Sequence, residues 1–309
     1  MGHSMRTIIT VRQWMPAVEV FPMNSDILSV IQGGMGGYSK GQKLIARYIL
    51  DCYDKAAFMT ASKLGKTVNV SESTVVRFAV ELGYDGYPSM QRALQEMIRN
   101  KLTSVQRIEV ANDRLGDQDV LSTVLHSDIE KIRMTLEETD RKVFNESVEA
   151  ILKARHIYIL GVRSSSTVAG FLGFYFNLMF DNVTLVNTAS MSEMFEQIVR
   201  VGSEDVVIGI SFPRYSSRTV KAMRFCHDSG AAVIALTDTL QSPIAAYADH
   251  VLVAKSDMVS LVDSLVAPLS ICNALIVAIG KEREKELTRT FTELERIWDE
   301  YDVYEKAEL

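Results

Sequence analysis

Hydrophobic positions follow two different periods along this chain. Before His156, apolar residues recur every three or four positions, as in Val75, Phe78, Ala79 and Leu82, which is typical of amphipathic helices. From His156 onward, short and nearly continuous apolar runs alternate with helical stretches. The pattern therefore predicts an α-helical head followed by an α/β body.

Two short helices separated by a tight turn are predicted within the head. The first covers about Thr60 to Thr67, and the turn follows at Val68-Asn69-Val70, because Asn tolerates left-handed backbone angles. Ser71 has the hydroxyl of an N-cap for a second helix. Gly83 is suited to end that helix with a left-handed residue. We therefore expect a helix–turn–helix.

The outward face of the second helix carries short polar groups and one guanidinium. Such a face suits a helix that enters the DNA major groove, where residues near the helix N-terminus contact base edges. The alternative interpretation is an ordinary helix pair inside an all-α domain. The residues predicted to contact DNA are Ser71, Glu72, Ser73, Thr74 and Arg77.

Further helices are predicted on both sides of this pair. Ser39 caps one of them, and another covers Ser89–Asn100. The glycine run from Gly33 to Gly37 lacks the preceding strand and the following Lys-Ser/Thr of a phosphate-binding loop, so it is predicted to be a flexible linker. Residues Leu102–Asp117 are predicted to be a connector.

An amphipathic helix is predicted over Asp119–Thr139, and a second one starts at Asp140. We expect these helices to pack on the second domain or on a partner subunit. The apolar face of the first consists of Leu121, Leu125, Ile129, Ile132 and Leu136.

The apolar runs of the body predict five strands separated by helices. Such strands indicate a parallel sheet that is covered on both faces. The predicted strands are His156–Gly161, Asn182–Asn187, Asp205–Phe212, Ala232–Asp238 and His250–Lys255. The predicted helices are Ser165–Phe180, Met191–Arg200, Ser216–Ser229 and a short Pro243–Ala248, then an apolar helix from Ser260 to about Ile279 and a charged helical tail.

Hydroxyl-rich segments follow the first and the third of these strands. Each offers helix N-terminal N–H groups, Ser or Thr hydroxyls and a guanidinium, the donors that a phosphate ester requires. Ligands of open parallel sheets bind beyond the carboxyl ends of the strands. The alternative for either segment alone is simple helix capping. The residues predicted to bind an anion are Arg163, Ser164, Ser165, Ser211, Arg214, Ser216, Ser217 and Thr219.

Charge is distributed unevenly between the two parts. The whole chain carries a formal net charge of −6, but Ser39–Arg107 contains 11 Lys or Arg and 6 Asp or Glu. That segment is therefore basic, as expected of a DNA-binding head. The three cysteines are scattered through apolar stretches, which suggests buried thiols and a reducing, cytoplasmic setting. We expect neither a metal site, nor a cofactor, nor a membrane span.

Two stretches resemble known families. Ser-x-x-Thr-Val-x-Arg-Phe from Ser71, followed by Leu-Gly-Tyr-x-Gly-Tyr from Leu82, resembles the N-terminal DNA-binding domain of the RpiR family of bacterial transcription regulators. The similarity covers roughly Met23 to Arg107. The body, from about Leu136 to Gly280, resembles a SIS, or sugar isomerase, domain.

The SIS resemblance implies a clasp for a sugar phosphate, formed by loops after the first and third strands. Ser164 or Ser165 matches the serine of the first loop. In the second loop Ser211 matches the first serine and Ser216 the threonine, whereas Arg214 stands where the family has glycine. The added charge of Arg214 opens the site to a different acidic ligand. A SIS domain behind an RpiR-type head is the full architecture of the family.

We therefore interpret the chain as a transcriptional regulator that binds operator DNA and a phosphorylated sugar or related anion. The expected assembly is a homodimer or homotetramer. The alternative function is a sugar-phosphate isomerase, but no acid/base pair is evident among Glu193, Glu196, His227 and His250, so catalysis is not expected. The expected segments are 1–22 (a leader or residues left from cloning), 23–107 (DNA-binding head), 108–139 (helical linker), 140–280 (SIS domain) and 281–309 (charged C-terminal helix).

Overall fold

The computed structural model describes residues 27–99, 103–115, 119–188, 190–256 and 262–305. The leader expected over residues 1–22 lies outside the described residues. Two compact units make up the chain, with the boundary between Met97 and Ile98.

The first unit is helical, as predicted. Its core is formed by apolar side chains from successive helices, among them Ile45, Leu64, Val75 and Phe78, all fully buried. Its helices are α1 (Ile27–Gly33), α2 (Lys40–Asp51), α3 (Tyr53–Ala56), α4 (Ala61–Thr67), α5 (Glu72–Glu81) and α6 (Tyr87–Arg99).

The helix–turn–helix is formed by α4 and α5 in the predicted positions. Asn69 has a φ of 57° in the turn between them, and the hydroxyl of Ser71 accepts a hydrogen bond from the Thr74 N–H at 3.3 Å. Gly83 ends the segment with a φ of 89°. A Cβ on Gly65 would lie 2.8 Å from the carbonyl oxygen of Val70, so the turn can approach α4 only because that residue is glycine.

The predicted flexible linker at Gly33–Gly37 is wrong. Gly33 ends α1, and Gly34–Gly36 continue as a 3₁₀ helix. The reason is packing: the ring of Tyr38 lies where a side chain on Gly34 would be, and it meets Phe78 edge-on with centroids 5.2 Å apart. Gly34 therefore makes room for an aromatic core residue.

Tyr87 anchors the turn that follows α5. Its ring is buried, and its hydroxyl donates a hydrogen bond to the carbonyl oxygen of Met59 at 2.7 Å. Burial raises the pKa of Tyr87 to about 12, so the phenol remains a donor at neutral pH. The side chain thus ties the start of α6 to the segment that precedes α4.

The second unit alternates strands and helices. Its helices are α7 (Ser104–Leu115), α8 (Val120–Glu138), α9 (Arg141–Lys153), α10 (Ser165–Met179), α11 (Met191–Ile198), α12 (Ser217–Asp228), α13 (Val266–Glu282) and α14 (Glu284–Glu300). Its strands are β1 (Ile157–Gly161), β2 (Val183–Val186), β3 (Val206–Ile210), β4 (Ala232–Thr237) and β5 (His250–Val253).

Three predicted elements differ from the observed ones. The apolar helix expected from Ser260 to about Ile279 begins at Val266. The connector expected over Leu102–Asp117 contains the helix α7, because Thr103 and Gln106 form a capping box that starts it. The short helix expected over Pro243–Ala248 is a 3₁₀ turn at Ala245–Tyr247.

The five strands form one parallel sheet in the order β2-β1-β3-β4-β5. Apolar side chains of each strand alternate between its two faces: Ile157 and Ile159 join the core shared with α9, α10 and α13, whereas Tyr158 and Leu160 join the core shared with α11 and α12. The predicted three-layer α/β architecture is confirmed. Both cores are needed because a parallel sheet has no polar face.

A buried carboxylate aligns the start of β1 with the start of β3. Asp205 is almost fully buried and accepts two hydrogen bonds from the Arg155 guanidinium, at 3.0 and 2.8 Å. The backbone N–H of Gly202 donates a third, at 2.9 Å. These contacts align β1 with β3 at the starts of the two strands. The hydroxyl-rich loops leave from the other ends of the same strands.

Candidate functional site

The two hydroxyl-rich loops leave the sheet side by side. Strands β1 and β3 are adjacent, and Gly161, the last residue of β1, is paired with Ile210, the last residue of β3. The residues that follow, Val162 and Ser211, therefore leave the same edge at the same level. This is the edge at which open parallel sheets bind ligands.

A cavity of about 700 Å³ lies between these loops. That volume accommodates a small metabolite. The residues that line it come from both loops, from the end of β2 and from two more distant segments. They are Arg107, Gly161, Val162, Arg163, Ser164, Ser165, Ser166, Asn187, Thr188, Ser211, Phe212, Pro213, Arg214, Tyr215, Ser216, Ser217, Arg218 and Asp263.

The loop after β1 closes tightly onto the first turn of α10. A Cβ on Gly161 would lie 2.6 Å from the carbonyl oxygen of Ser165, so this approach requires glycine. Arg163 has a φ of 57°, which turns the chain into the helix. Ser164 is the N-cap residue but makes no side-chain capping bond, whereas Ser165 is buried in the first turn. Both candidate serines, Ser164 and Ser165, line the cavity.

The loop after β3 is fixed by its own hydroxyls. Ser216 caps α12 by accepting a hydrogen bond from the Thr219 N–H at 3.4 Å. The hydroxyl of the buried Ser211 accepts one from the Ser216 N–H at 3.4 Å. Tyr215 donates to the buried carboxylate of Asp238 at 2.7 Å, which ties the loop to the end of β4. These three hydrogen bonds fix the conformation of the loop.

Seven of the eight predicted anion-binding residues line this cavity, and Thr219 does not. Its side chain is fully buried in the first turn of α12. Its backbone N–H donates to the Ser216 hydroxyl, so the main chain of Thr219 helps to fix the start of α12.

Arg107 and Asp263 belong to the lining but were not predicted. Arg107 lies on α7 and is 7% exposed, and one terminal nitrogen of its guanidinium is 3.1 Å from each carboxylate oxygen of Asp263. The capping box at Thr103 and Gln106 was the local signal for this helix. No sequence spacing indicates that its arginine reaches a cavity formed far along the chain.

The electrostatic character of the cavity is positive. Of the described residues that line it, Arg107, Arg163, Arg214 and Arg218 are basic, and Asp263 is the only carboxylate. Histidine is absent from the same set. Guanidinium groups bind phosphate and carboxylate oxygens through charge-assisted hydrogen bonds, so the arrangement suits an anion.

The predicted DNA-contacting face lies on the exterior of the first unit. Glu72, Ser73 and Arg77 are exposed, whereas Thr74 is half-buried. The hydroxyl of Ser71 lies 2.9 Å from that of Ser73, and Arg77 donates to the carbonyl oxygen of Ser73 at 3.2 Å. The exposed polar groups therefore cluster at the first turns of α5, where a recognition helix presents its base contacts.

Among the described residues, no group of three His, Cys, Asp or Glu side chains could hold a metal ion. None of the helices in that part of the chain is long and apolar enough to cross a membrane. The cysteines are free thiols; burial raises the pKa of Cys226 and of Cys272 to about 12, which leaves both protonated at neutral pH.

Comparison with known proteins gives the same two parts, a helical DNA-binding domain and an α/β domain. The family model described as a helix-turn-helix domain of the rpiR family matches residues 25–101, and that of the SIS domain matches residues 150–278. The sugar isomerase domain of an RpiR transcription factor from Sphaerobacter thermophilus is 30% identical, with a TM-score of 0.55 over 58% of this chain and 99% of that one.

This chain belongs to the RpiR family of transcriptional regulators.

Two further relatives cover both parts of this RpiR-family regulator. An HTH-type transcriptional regulator of Haemophilus influenzae is 29% identical over 235 residues, which is 74% of this chain and 80% of that relative. The fold of the Vibrio vulnificus NanR protein, whose structure is complexed with ManNAc-6P, covers 89% of this chain and 98% of that one at a TM-score of 0.56 and 20% identity.

Proposed function

We propose that this regulator binds operator DNA through α5 and that a phosphorylated sugar, or a related anionic metabolite, bound between β1 and β3 modulates that binding. The observation that carries the proposal is the cavity, in which serine hydroxyls and guanidinium groups from two adjacent strand ends face one another. Its geometry matches the needs of a phosphate monoester, whose oxygens accept several hydrogen bonds at once.

The proposed DNA contacts are the polar side chains at the start of α5. Arg77 is the residue suited to a guanine, because a guanidinium can donate to both O6 and N7. Ser71, Glu72, Ser73 and Thr74 surround it on the same turns. The proposed setting is the cytoplasm, where operator DNA and phosphorylated sugars are both found.

The lining of the cavity favours binding over catalysis. Isomerisation of a sugar phosphate needs a general base beside the reacting carbon. Asp263, the carboxylate of the described lining, is engaged by Arg107 through both of its oxygens. Glu193 lies at the start of α11, where its carboxylate accepts a hydrogen bond from Thr188. We therefore propose a sensor without isomerase activity.

A homo-oligomer is part of the proposal. One recognition helix offers few base contacts, and helix–turn–helix proteins commonly use two of them on a symmetric site. A dimer or a tetramer would place two copies of α5 in one assembly, and closed symmetry is the rule for such assemblies.

Calorimetry with a panel of sugar phosphates that includes ManNAc-6P tests the effector site. Arg214→Ala should weaken binding strongly, because charge-assisted hydrogen bonds contribute roughly 1.5–3 kcal/mol each. Ser216→Ala should weaken it modestly. Arg224→Ala, an exposed change later on α12, is the matched control and should have no effect. Affinity that is indifferent to Arg214, or measurable isomerase turnover with the same panel, would contradict the proposal.

A further inference from the structure

Helix α8 presents its apolar side to solvent and its polar side to the domain. The residues it buries most deeply are Lys131 and Thr135, at 2% and 4% exposure. Its five outward apolar side chains, named here the α8 stripe, are between 38% and 68% exposed. The α8 stripe consists of Leu121, Leu125, Ile129, Ile132 and Leu136.

Specific polar contacts hold the helix in this orientation. The hydroxyl of Thr135 accepts a hydrogen bond from the Lys255 N–H at 2.9 Å, and Ser264 donates to the Asp128 carboxylate at 2.6 Å. Lys255 also pairs with Glu138 at 2.5 Å. Rotating α8 to bury the stripe would break all three contacts, so the described residues of the second unit leave the stripe uncovered.

We propose that the α8 stripe is the contact surface between two copies of this chain, with the two α8 helices antiparallel across a twofold axis near Ile129. The inference rests on the proposed homo-oligomer and names its surface. The first argument is self-complementarity. A twofold contact uses the same surface on both copies, so that surface has to fit itself. Along the α8 stripe the residues are spaced by four, four, three and four positions.

This spacing pairs the stripe with itself when the second helix runs in the opposite direction. Leu121 then lies opposite Leu136 of the other copy, and Leu125 opposite Ile132. Ile129 lies at the axis and meets its own equivalent. Large aliphatic side chains at intervals of three and four residues are also what close helix–helix packing uses.

The size of the surface fits a dimer. A standard interface buries about 800 Å² on each partner, and roughly 65% of a homodimer interface is apolar, which requires about 500 Å² of apolar surface per copy. Exposed apolar patches of roughly 300–600 Å² on a monomer are commonly functional. Five large aliphatic side chains, mostly more than half exposed, form a patch of this order.

The charged border of the stripe does not oppose the contact. Arg133 is paired with Glu130 at 2.5 Å and with Glu137 at 2.6 Å on the same helix. Negative and positive side chains therefore alternate along the edge of the α8 stripe. A second copy does not bring a block of like charge against another.

Molar mass measured by light scattering over a concentration series tests the interface without DNA or sugar phosphate. In the double variant Leu125→Glu/Ile129→Glu, the mass should fall to half that of the wild type. Val199→Glu is the matched control: Val199 is 64% exposed, close to the 63% of Ile129, and its substitution should leave the mass unchanged. Circular dichroism checks that each variant is folded.

Cross-linking gives a second measurement that does not depend on a destabilising charge. Ile129→Cys should form a covalent dimer on oxidation with diamide, because Ile129 lies at the proposed axis, whereas Val199→Cys should not. A monomeric wild type, an unchanged mass in the double variant, or no covalent dimer through position 129 would each overturn the inference. None of these results depends on whether the cavity binds a sugar phosphate.

Discussion

The two proposed binding sites of this protein share one local feature, a helix that follows a capping serine. Helix α5 of the first unit and helix α12 of the second both follow a serine N-cap, whose hydroxyl accepts the N–H of the residue three positions on. In α5 the capped turn is on the exterior, and its side chains form an exposed row. In α12 it forms one wall of a cavity.

The difference shows that surroundings, not the cap, determine what a helix start can bind. An exposed row of side chains can follow the edge of an extended polymer such as DNA. A capped turn opposed by a second loop surrounds a small anion, which then receives donors from several directions. Ser216 faces the loop after β1 across the cavity, whereas Glu72 and Ser73, which follow Ser71, are exposed.

The largest effects on stability are expected from two glycine variants. Each should disrupt one of the two proposed binding sites and leave the other intact. Gly161→Ala places a Cβ 2.6 Å from the Ser165 carbonyl oxygen and should destabilise the second unit by roughly 1–3 kcal/mol, because the obstructing atom is backbone. Sugar-phosphate binding should be lost with it. Gly170→Ala, on the helix α10 that follows this loop, is the control, because nothing lies within 4 Å of the added Cβ. Differential scanning calorimetry measures both; equal melting temperatures would contradict the close approach.

Gly65→Ala is the corresponding variant in the first unit. Its Cβ would lie 2.8 Å from the Val70 carbonyl oxygen and should displace the turn before α5, at a cost of roughly 1–3 kcal/mol. Operator binding should fall while sugar-phosphate binding is retained. Gly36→Ala, with open space around it, should leave both unchanged. A Gly65→Ala protein with wild-type operator affinity would refute the role of this contact.

Arg77→Ala should weaken specific operator binding by about 1–3 kcal/mol, because a guanidinium that reads a guanine makes two hydrogen bonds. Gel-shift titration with operator and scrambled DNA separates loss of specificity from loss of charge. Arg47→Ala, which removes an exposed charge from α2, is the control and should not change the preference between the two DNAs. Unchanged preference in Arg77→Ala would show that α5 is not the reading helix.

Opposite effects on sugar-phosphate affinity are expected from the two partners of the partly buried Arg107–Asp263 ion pair in the cavity. Arg107→Ala removes a positive charge and leaves Asp263 facing the anion, so affinity for a sugar phosphate should fall by about 1.5–3 kcal/mol. Asp263→Asn removes the competing carboxylate and should raise that affinity, since a charge near 4 Å contributes at least about 1 kcal/mol. Calorimetry that shows the same direction for both variants would exclude this arrangement.

The smallest effects on stability should come from the caps themselves. Ser71→Ala and Ser216→Ala should each cost about 1 kcal/mol of stability. Asp in either position preserves the cap, so Ser71→Asp and Ser216→Asp should keep the melting temperature of the wild type. Ser216→Asp should nevertheless abolish sugar-phosphate binding, because its carboxylate faces the cavity. Loss of stability in the Asp variants would show that the serines have another structural role.

Local features could be predicted from the sequence, because they depend on neighbours a few positions away. Asn69 and Gly83 adopt positive φ angles in the predicted turns, and Ser71 caps the predicted helix. The strands were also predictable in number and direction, since buried parallel strands are apolar throughout. Even the helix α7 had a local signal, the Thr103–Gln106 capping box.

Only the tertiary structure decided which distant groups meet. Arg107 reaches the cavity and pairs with Asp263 from a point 156 positions earlier in the chain, and Thr219 is buried behind the loop instead of lining it. The amphipathic pattern of α8 was evident from sequence, but periodicity does not state which face turns inward. The polar face of α8 lies inward, where Lys255 and Ser264 donate hydrogen bonds to it. A buried polar group needs such a partner, and both partners lie on the same domain as α8.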